Sequence, residues 1–267
     1  MPVDAYIDAA TSSSLISEEL KGSKVAKTKK LDQFGAVEWT LANGAKVIFK
    51  KADFEKDQIA LNSFSPGGNS LVADDYVESA TVLSAFIGSY GVGDYDAITL
   101  NKMLTGKKVS VKTNIGNLTE GISGSTTPKD FETMLQLVYL YFEKPRFDID
   151  AHKAYMERYK AYVANMANNP QKIMQDSLSM IVTNYHPRTR LFNTDLLDKV
   201  KIEQIEEIYR ARIKDASDFT FIIVGNIDES EVNPMVEKYI GSLTDINRTE
   251  KWKDLDIEMP EGKTEKN

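Results

Sequence analysis

Ser65-Pro66-Gly67-Gly68-Asn69-Ser70 closes one apolar run, and Asp75-Tyr76-Val77-Glu78-Ser79-Ala80-Thr81-Val82-Leu83-Ser84 opens the next. Pro66 and the two glycines end a strand expected from Gln58 to Ser65. Val77, Ala80, Thr81, Ser84 and Gly88 then share one side of a helix expected from about Asp74 to Tyr90, which Asp74 or Asp75 can cap. Upstream, Val37, Trp39 and Leu41 alternate with polar residues, Asn43-Gly44 offers a two-residue turn, and Val47-Ile48-Phe49 returns as the second arm of a hairpin. Downstream, a short helix around Ala97 to Leu104 ends at Gly106, and Val109-Ser110-Val111 with Leu118 to Ser125 reads as a second hairpin.

Thr127-Pro128-Lys129-Asp130 combines a hydroxyl N-cap, proline at the first helical position and a carboxylate at the positive end of the helix dipole. Phe131, Met134, Leu135, Val138 and Phe142 follow on one helical face, and Pro145 ends that helix. Further helices are expected from about Asp148 to Met166, Pro170 to Val182 and Lys201 to Ile213, then a buried strand from Phe219 to Val224 and a last helix from Asp228 to Tyr239. Hairpins, a block of helices and a returning strand predict an α+β fold: a mostly antiparallel sheet packed on one face by helices. Residues 1–34, with a Ser-rich run and a Lys cluster, read as linker, 35–245 as the folded domain and the polar stretch 246–267 as a tail or linker. Linker at both ends suggests a piece of something longer.

Composition narrows the function. The 267 residues are 42% hydrophobic, enough for a sizeable core. A net charge of -7 argues against nucleic acid as a partner, because phosphate neutralisation needs clustered cations. No stretch reaches the roughly 20 apolar residues of a membrane span. Zero cysteine removes disulfides, thiolate metal sites and cysteine nucleophiles, and suits a periplasmic or a cytoplasmic protein equally.

The candidate chemistry is sparse. There are two histidines. His152 and Glu157 lie about 140° apart around a helix axis, so they make no two-ligand zinc face, and His152 is expected to be exposed. His186 precedes Pro187 in a loop and reads as a turn residue. Gly88, Gly91 and Gly93 follow a helix, whereas phosphate loops follow a strand; Thr105-Gly106-Lys107-Lys108 lacks the upstream glycine and the hydroxyl of a phosphate loop. Gly121-Ile122-Ser123-Gly124 is offset from a nucleophile elbow. Asp74, Asp75 and Glu78 could hold a hard cation, but helix capping accounts for them more simply. Tyr139, Tyr141, Phe142 and Phe147 read as core.

Trp39-Thr40-Leu41-Ala42-Asn43-Gly44-Ala45-Lys46-Val47, Ser65-Pro66-Gly67-Gly68, Leu104-Thr105-Gly106-Lys107-Lys108-Val109, Gly121-Ile122-Ser123-Gly124-Ser125 and Pro145-Arg146-Phe147-Asp148 occur in that order. Together they resemble the insulinase/pitrilysin family of inverted-motif zinc peptidases, over about residues 35 to 245. The likeness is greatest to the second, non-catalytic half of long bacterial members. In the catalytic half of such proteins a Gly-rich strand end leads into a helix bearing H-x-x-E-H, in which two imidazoles hold zinc and the Glu activates water, with a later Glu as third ligand. Counted from Gly67 or Gly68, the first histidine position here is Ser79 or Ala80, and only Glu157 stands near the place of the later Glu.

The resemblance therefore implies no catalytic residue, no metal ligand and no cofactor in this chain, with zinc belonging to the catalytic half of the parent; substrate-binding residues stay unassigned. It implies a non-catalytic domain whose partners are a catalytic half, in the same chain or a separate subunit, and a peptide substrate enclosed between the two. A negative chamber wall would favour basic or neutral peptides. The alternative is a stand-alone binding or assembly module with a degenerate peptidase fold, and a third class is a metal-independent enzyme using an acidic or tyrosine-based site.

Overall fold

The computed structural model describes residues 14–262. In chain order these form β1 (Val25–Leu31), β2 (Ala36–Leu41), β3 (Lys46–Lys51), β4 (Ile59–Pro66), α1 (Val77–Phe86), α2 (Ala97–Met103), β5 (Val109–Ile115), β6 (Thr119–Thr126), α3 (Phe131–Glu143), α4 (Ile149–Met166), α5 (Pro170–Val182), α6 (Thr194–Leu197), α7 (Ile202–Arg212), β7 (Thr220–Gly225) and α8 (Glu229–Tyr239). One sheet runs β1-β2-β3-β7-β4-β6-β5. Its hairpins are antiparallel, and β7 slots between them, parallel to β3 and antiparallel to β4. The fold is α+β, as the order of elements predicts.

The pleat sorts side chains by parity. Trp39, Leu41, Val47, Phe49, Leu61, Ile122, Phe221 and Ile223 point under the helices and are buried. Trp39 stacks on Phe49 with centroids 5.7 Å apart, and Phe142 of α3 meets Phe219 edge-on at 5.3 Å. The opposite face, which presents Ile48, Ala60, Asn62, Ile222 and Val224, is exposed or half-buried.

Helix α3 is buried at Phe131 and from Thr133 through Phe142, so it is enclosed rather than amphipathic. Part of its cover comes from residues expected to be linker. Leu15 is buried and its N–H donates to Gln136 Oε1 at 2.9 Å; Glu18 accepts from the Tyr139 hydroxyl at 3.1 Å and pairs with Lys144 at 2.8 Å. Val25–Leu31 is a strand, not linker, because its ladder with β2 stabilises a Lys-rich edge sequence with little side-chain signal of its own. Residues 1–13 and 263–267 lie outside the described residues. From 246 to 262 there is no helix or strand, yet the Ile246 and Arg248 N–H groups donate to the buried Asp215 carboxylate at 3.1 and 2.6 Å.

Local expectations were corrected in three places. The first hairpin closes through a three-residue loop: Leu41 N–H bonds Ala45 O and Gly44 N–H bonds Leu41 O, both at 2.9 Å, with Gly44 at φ 82°. Asn43 is free to anchor the Ile240 and Leu243 carbonyls through Nδ2, each at 2.9 Å. Thr127 caps no backbone N–H; the buried Asp130 carboxylate instead accepts from Lys108 N–H at 2.9 Å. Neither Asp74 nor Asp75 caps α1, and that helix buries Val77, Ser79, Ala80, Val82, Leu83 and Phe86, leaving Thr81, Ser84 and Gly88 exposed. Packing against both β5 and α7 broadens its buried surface beyond a single stripe.

Candidate functional site

The Gly67-Gly68 junction is clamped onto the β5–β6 turn. Gly67 N–H donates to Leu118 O at 2.8 Å, Asn69 N–H to Gly116 O at 2.8 Å and Ser70 N–H to Asn117 O at 2.9 Å. Both glycines have positive φ, and a Cβ on Gly68 would fall 2.4 Å from Gly116 O, so no side chain fits. Beneath them lies Glu120 of β6, buried to 1% exposure. Gly68 N–H donates to its Oε2 at 2.5 Å, and its Oε1 has no hydrogen-bond partner. Burial pushes the Glu120 carboxyl up to about 7 against the opposing pull of the Gly68 N–H and the Arg212 guanidinium. Arg212 lies 3.9 Å from Glu120 Oε1 but aims its fork at Glu250, at 2.8 and 3.0 Å. Glu250 also meets Arg248 at 3.1 Å, so this network ties the C-terminal segment to α7 and β6.

Helix α1 departs from this junction where a metal-bearing helix would stand. The Ser79 hydroxyl donates to Gln204 Oε1 at 2.7 Å and accepts Lys201 N–H at 3.1 Å, fastening α1 to the start of α7. Ala80 lines a cleft of about 580 Å³ together with Asn69, Leu118, Arg188, Trp252 and Leu255. Ala80 has no donor atom, and the Ser79 hydroxyl is engaged by Gln204 and Lys201. Asp74 pairs with Arg188 at 2.5 Å and Glu78 with Arg190 at 3.1 Å, so these carboxylates are matched by cations instead of converging on one.

The sequence candidates are dispersed. His152 is buried, not exposed: α4 turns it inward against Phe86, ring centroids 5.3 Å apart, with its Nδ1 2.8 Å from the Tyr90 hydroxyl. Burial lowers the imidazole pKa and raises that of the phenol, so both groups are favoured neutral, and the imidazole tautomer sets which of them donates. Glu157 is exposed on α4. His186 sits in the turn after α5, where its Nδ1 accepts Arg188 N–H at 3.2 Å. Among the described residues no three His, Cys, Asp or Glu side chains gather as a metal would require. The zinc of insulinase-like peptidases therefore does not fit the donors present on α1 and α4. Sequence reasoning missed the Glu120–Arg212–Glu250 network, whose members are far apart in the chain and carry no motif.

No protein-family model matches the chain. It is 23% identical over 226 residues to a probable zinc protease PqqL of Haemophilus influenzae, covering 82% of this chain and 23% of that protein. It is 24% identical over 238 residues to a PQQL-like zinc protease of Arabidopsis thaliana, covering 86% and 22%. The chain thus spans less than a quarter of the length of these curated relatives. Among solved structures, the periplasmic protease PqqL of Escherichia coli matches with a TM-score of 0.76 at 16% identity, over 96% of this chain and 28% of that one. An inactive peptidase M16 domain from Pseudomonas fluorescens matches with a TM-score of 0.62 at 19% identity, over 78% and 50%.

The chain has the fold of these peptidase structures and is similar in sequence to the zinc proteases. Ser79 and Ala80, the residues reached by counting from Gly67 or Gly68, are both buried on α1. The separately solved first half of E. coli PqqL matches this domain with a TM-score of 0.66 at 14% identity, over 84% and 49%. Among the described residues no helix is long and apolar enough to cross a membrane.

Proposed function

We propose that this insulinase-like domain forms part of the substrate chamber of a zinc peptidase and contacts the enclosed peptide, while bond cleavage belongs to an H-x-x-E-H half elsewhere. The observation that carries this reading is Ser79: within an insulinase fold, the residue at the first metal-ligand position is engaged in holding α1 to α7. The fuller match to complete E. coli PqqL than to its first half supports a place outside the catalytic half. The open face of the sheet supplies the broad surface for a wall, since α1 and α3 pack on the other side.

The test is Ser79→Ala in the parent polypeptide. Peptidase activity stays within about twofold of wild type, whereas Ala in place of the H-x-x-E-H glutamate abolishes it. A loss beyond about tenfold with the fold intact, about 1.4 kcal/mol of transition-state stabilisation, contradicts the reading.

A further inference from the structure

The chain is acidic, but its open sheet face is not. Strand register places Lys27 and Lys29 of β1 beside Thr40 and Glu38 of β2, Lys46, Ile48 and Lys50 of β3 beside Thr220, Ile222 and Val224 of β7, and Lys112 of β5 beside Ser123 of β6. All of these residues lie on the side away from the helices, because their neighbours Trp39, Val47, Phe49, Phe221 and Val111 are buried beneath them. The strands thus present five lysines and one glutamate, Glu38, on this face, and Lys27, Lys29, Lys46 and Lys112 are exposed. None of the five makes an ion pair among the described residues. The charge of this face is thus opposite in sign to the net charge of the chain.

The lysines sit at the margins. Between β3 and β5 the face carries Ile222, Val224, Ala60, Asn62, Ser123 and Ser125, apolar or neutral and small, with Phe64 46% exposed at one end. Four interstrand steps separate β3 from β5, roughly 19 Å, so cations flank an uncharged strip about that wide. A polyanion such as RNA needs cations along its backbone and aromatic faces for its bases, and a central strip with one aromatic residue supplies neither. An acidic polypeptide with apolar residues between its carboxylates matches both features.

We infer that the open sheet face is a docking surface for acidic polypeptide segments, with Lys46, Lys50 and Lys112 meeting carboxylates on either side of the Ile48–Ile222–Val224 strip. The inference rests on the reading of this chain as a peptide-contacting domain and names the class of peptide it selects.

The test is fluorescence anisotropy with the full chain and two labelled peptides of equal length that share an apolar centre, one flanked by Glu and Asp, the other by Lys. The acidic peptide binds about tenfold or more tightly than the basic one, and the preference shrinks as salt is raised. Lys46→Glu/Lys112→Glu lowers acidic-peptide affinity about tenfold. Lys129→Glu/Lys153→Glu, an equal charge change off this face, alters it less than about twofold; circular dichroism confirms that both variants fold. Tighter binding of the basic peptide, equal effects of the two variants, or a single-stranded RNA that binds more tightly than the acidic peptide overturns the inference and leaves peptide contact intact. Binding of neither peptide overturns the inference and the peptide-contact reading together.

Discussion

The two faces of the sheet are built from the same strands and differ in nearly everything else. Under the helices lie Trp39, Val47, Phe49, Phe221 and Ile223, all buried; one residue along each strand, the outer face shows Glu38, Lys46, Ile48, Lys50 and Ile222. A period-two pattern thus separates core from surface and also segregates charge, so that a chain of net charge -7 displays a sheet face on which lysines outnumber carboxylates. What the comparison teaches is that charge must be read by strand parity before it is assigned to a partner.

The comparison is broken or sharpened first by adjacent substitutions in β7. Phe221→Ala removes a fully buried ring and costs about 3–5 kcal/mol, whereas Ile222→Ala, half-buried on the open face, costs about 1 kcal/mol. Urea denaturation of both variants measures this, and equal losses would mean that the second face is covered as well.

Next comes Glu120, the charged residue that parity turns inward. Its folded pKa stands near 7 against 4.5 for an ordinary glutamate, so the folded state holds the proton more tightly. The stabilisation from that proton is fully present below about pH 4.5 and lost as pH rises to about 7, a change of up to about 3 kcal/mol. The stability of wild type relative to Glu120→Gln therefore declines across that window and is flat above it. A parallel pair of pH profiles would show that Glu120 titrates normally.

The smallest of the three effects belongs to α1. Ser79→Ala leaves Gln204 Oε1 and Lys201 N–H without their partner and costs about 1–3 kcal/mol in thermal or chemical unfolding. A neutral result would show that water replaces the hydroxyl and that the α1–α7 bond is dispensable.

Much of the fold was legible because local signals agreed: the Pro66-Gly67-Gly68 stop, the helix starting near Asp148 and the helix opened by Pro170 stand where the sequence places them, and the hairpin turn at Asn43-Gly44 is in place with one more residue in its loop. What escaped was set by distant partners. β1 has no apolar alternation and exists because β2 offers it a ladder; the burial of α3 on all sides comes partly from Leu15, more than a hundred residues earlier. His152 looked like a surface residue on a polar helix because nothing in its neighbourhood announces Tyr90 and Phe86. The candidate site was legible as the lack of imidazoles at Ser79 and Ala80, but the network of Glu120, Arg212 and Glu250 is assembled by topology alone.

The central claim is that the insulinase fold is kept here while its α1 serves packing instead of metal binding. The most direct measurement is metal analysis of the purified chain after equilibration with zinc and removal of the unbound ion. The account predicts zinc far below one per chain. Near-stoichiometric zinc retained by residues 35–245 would contradict it.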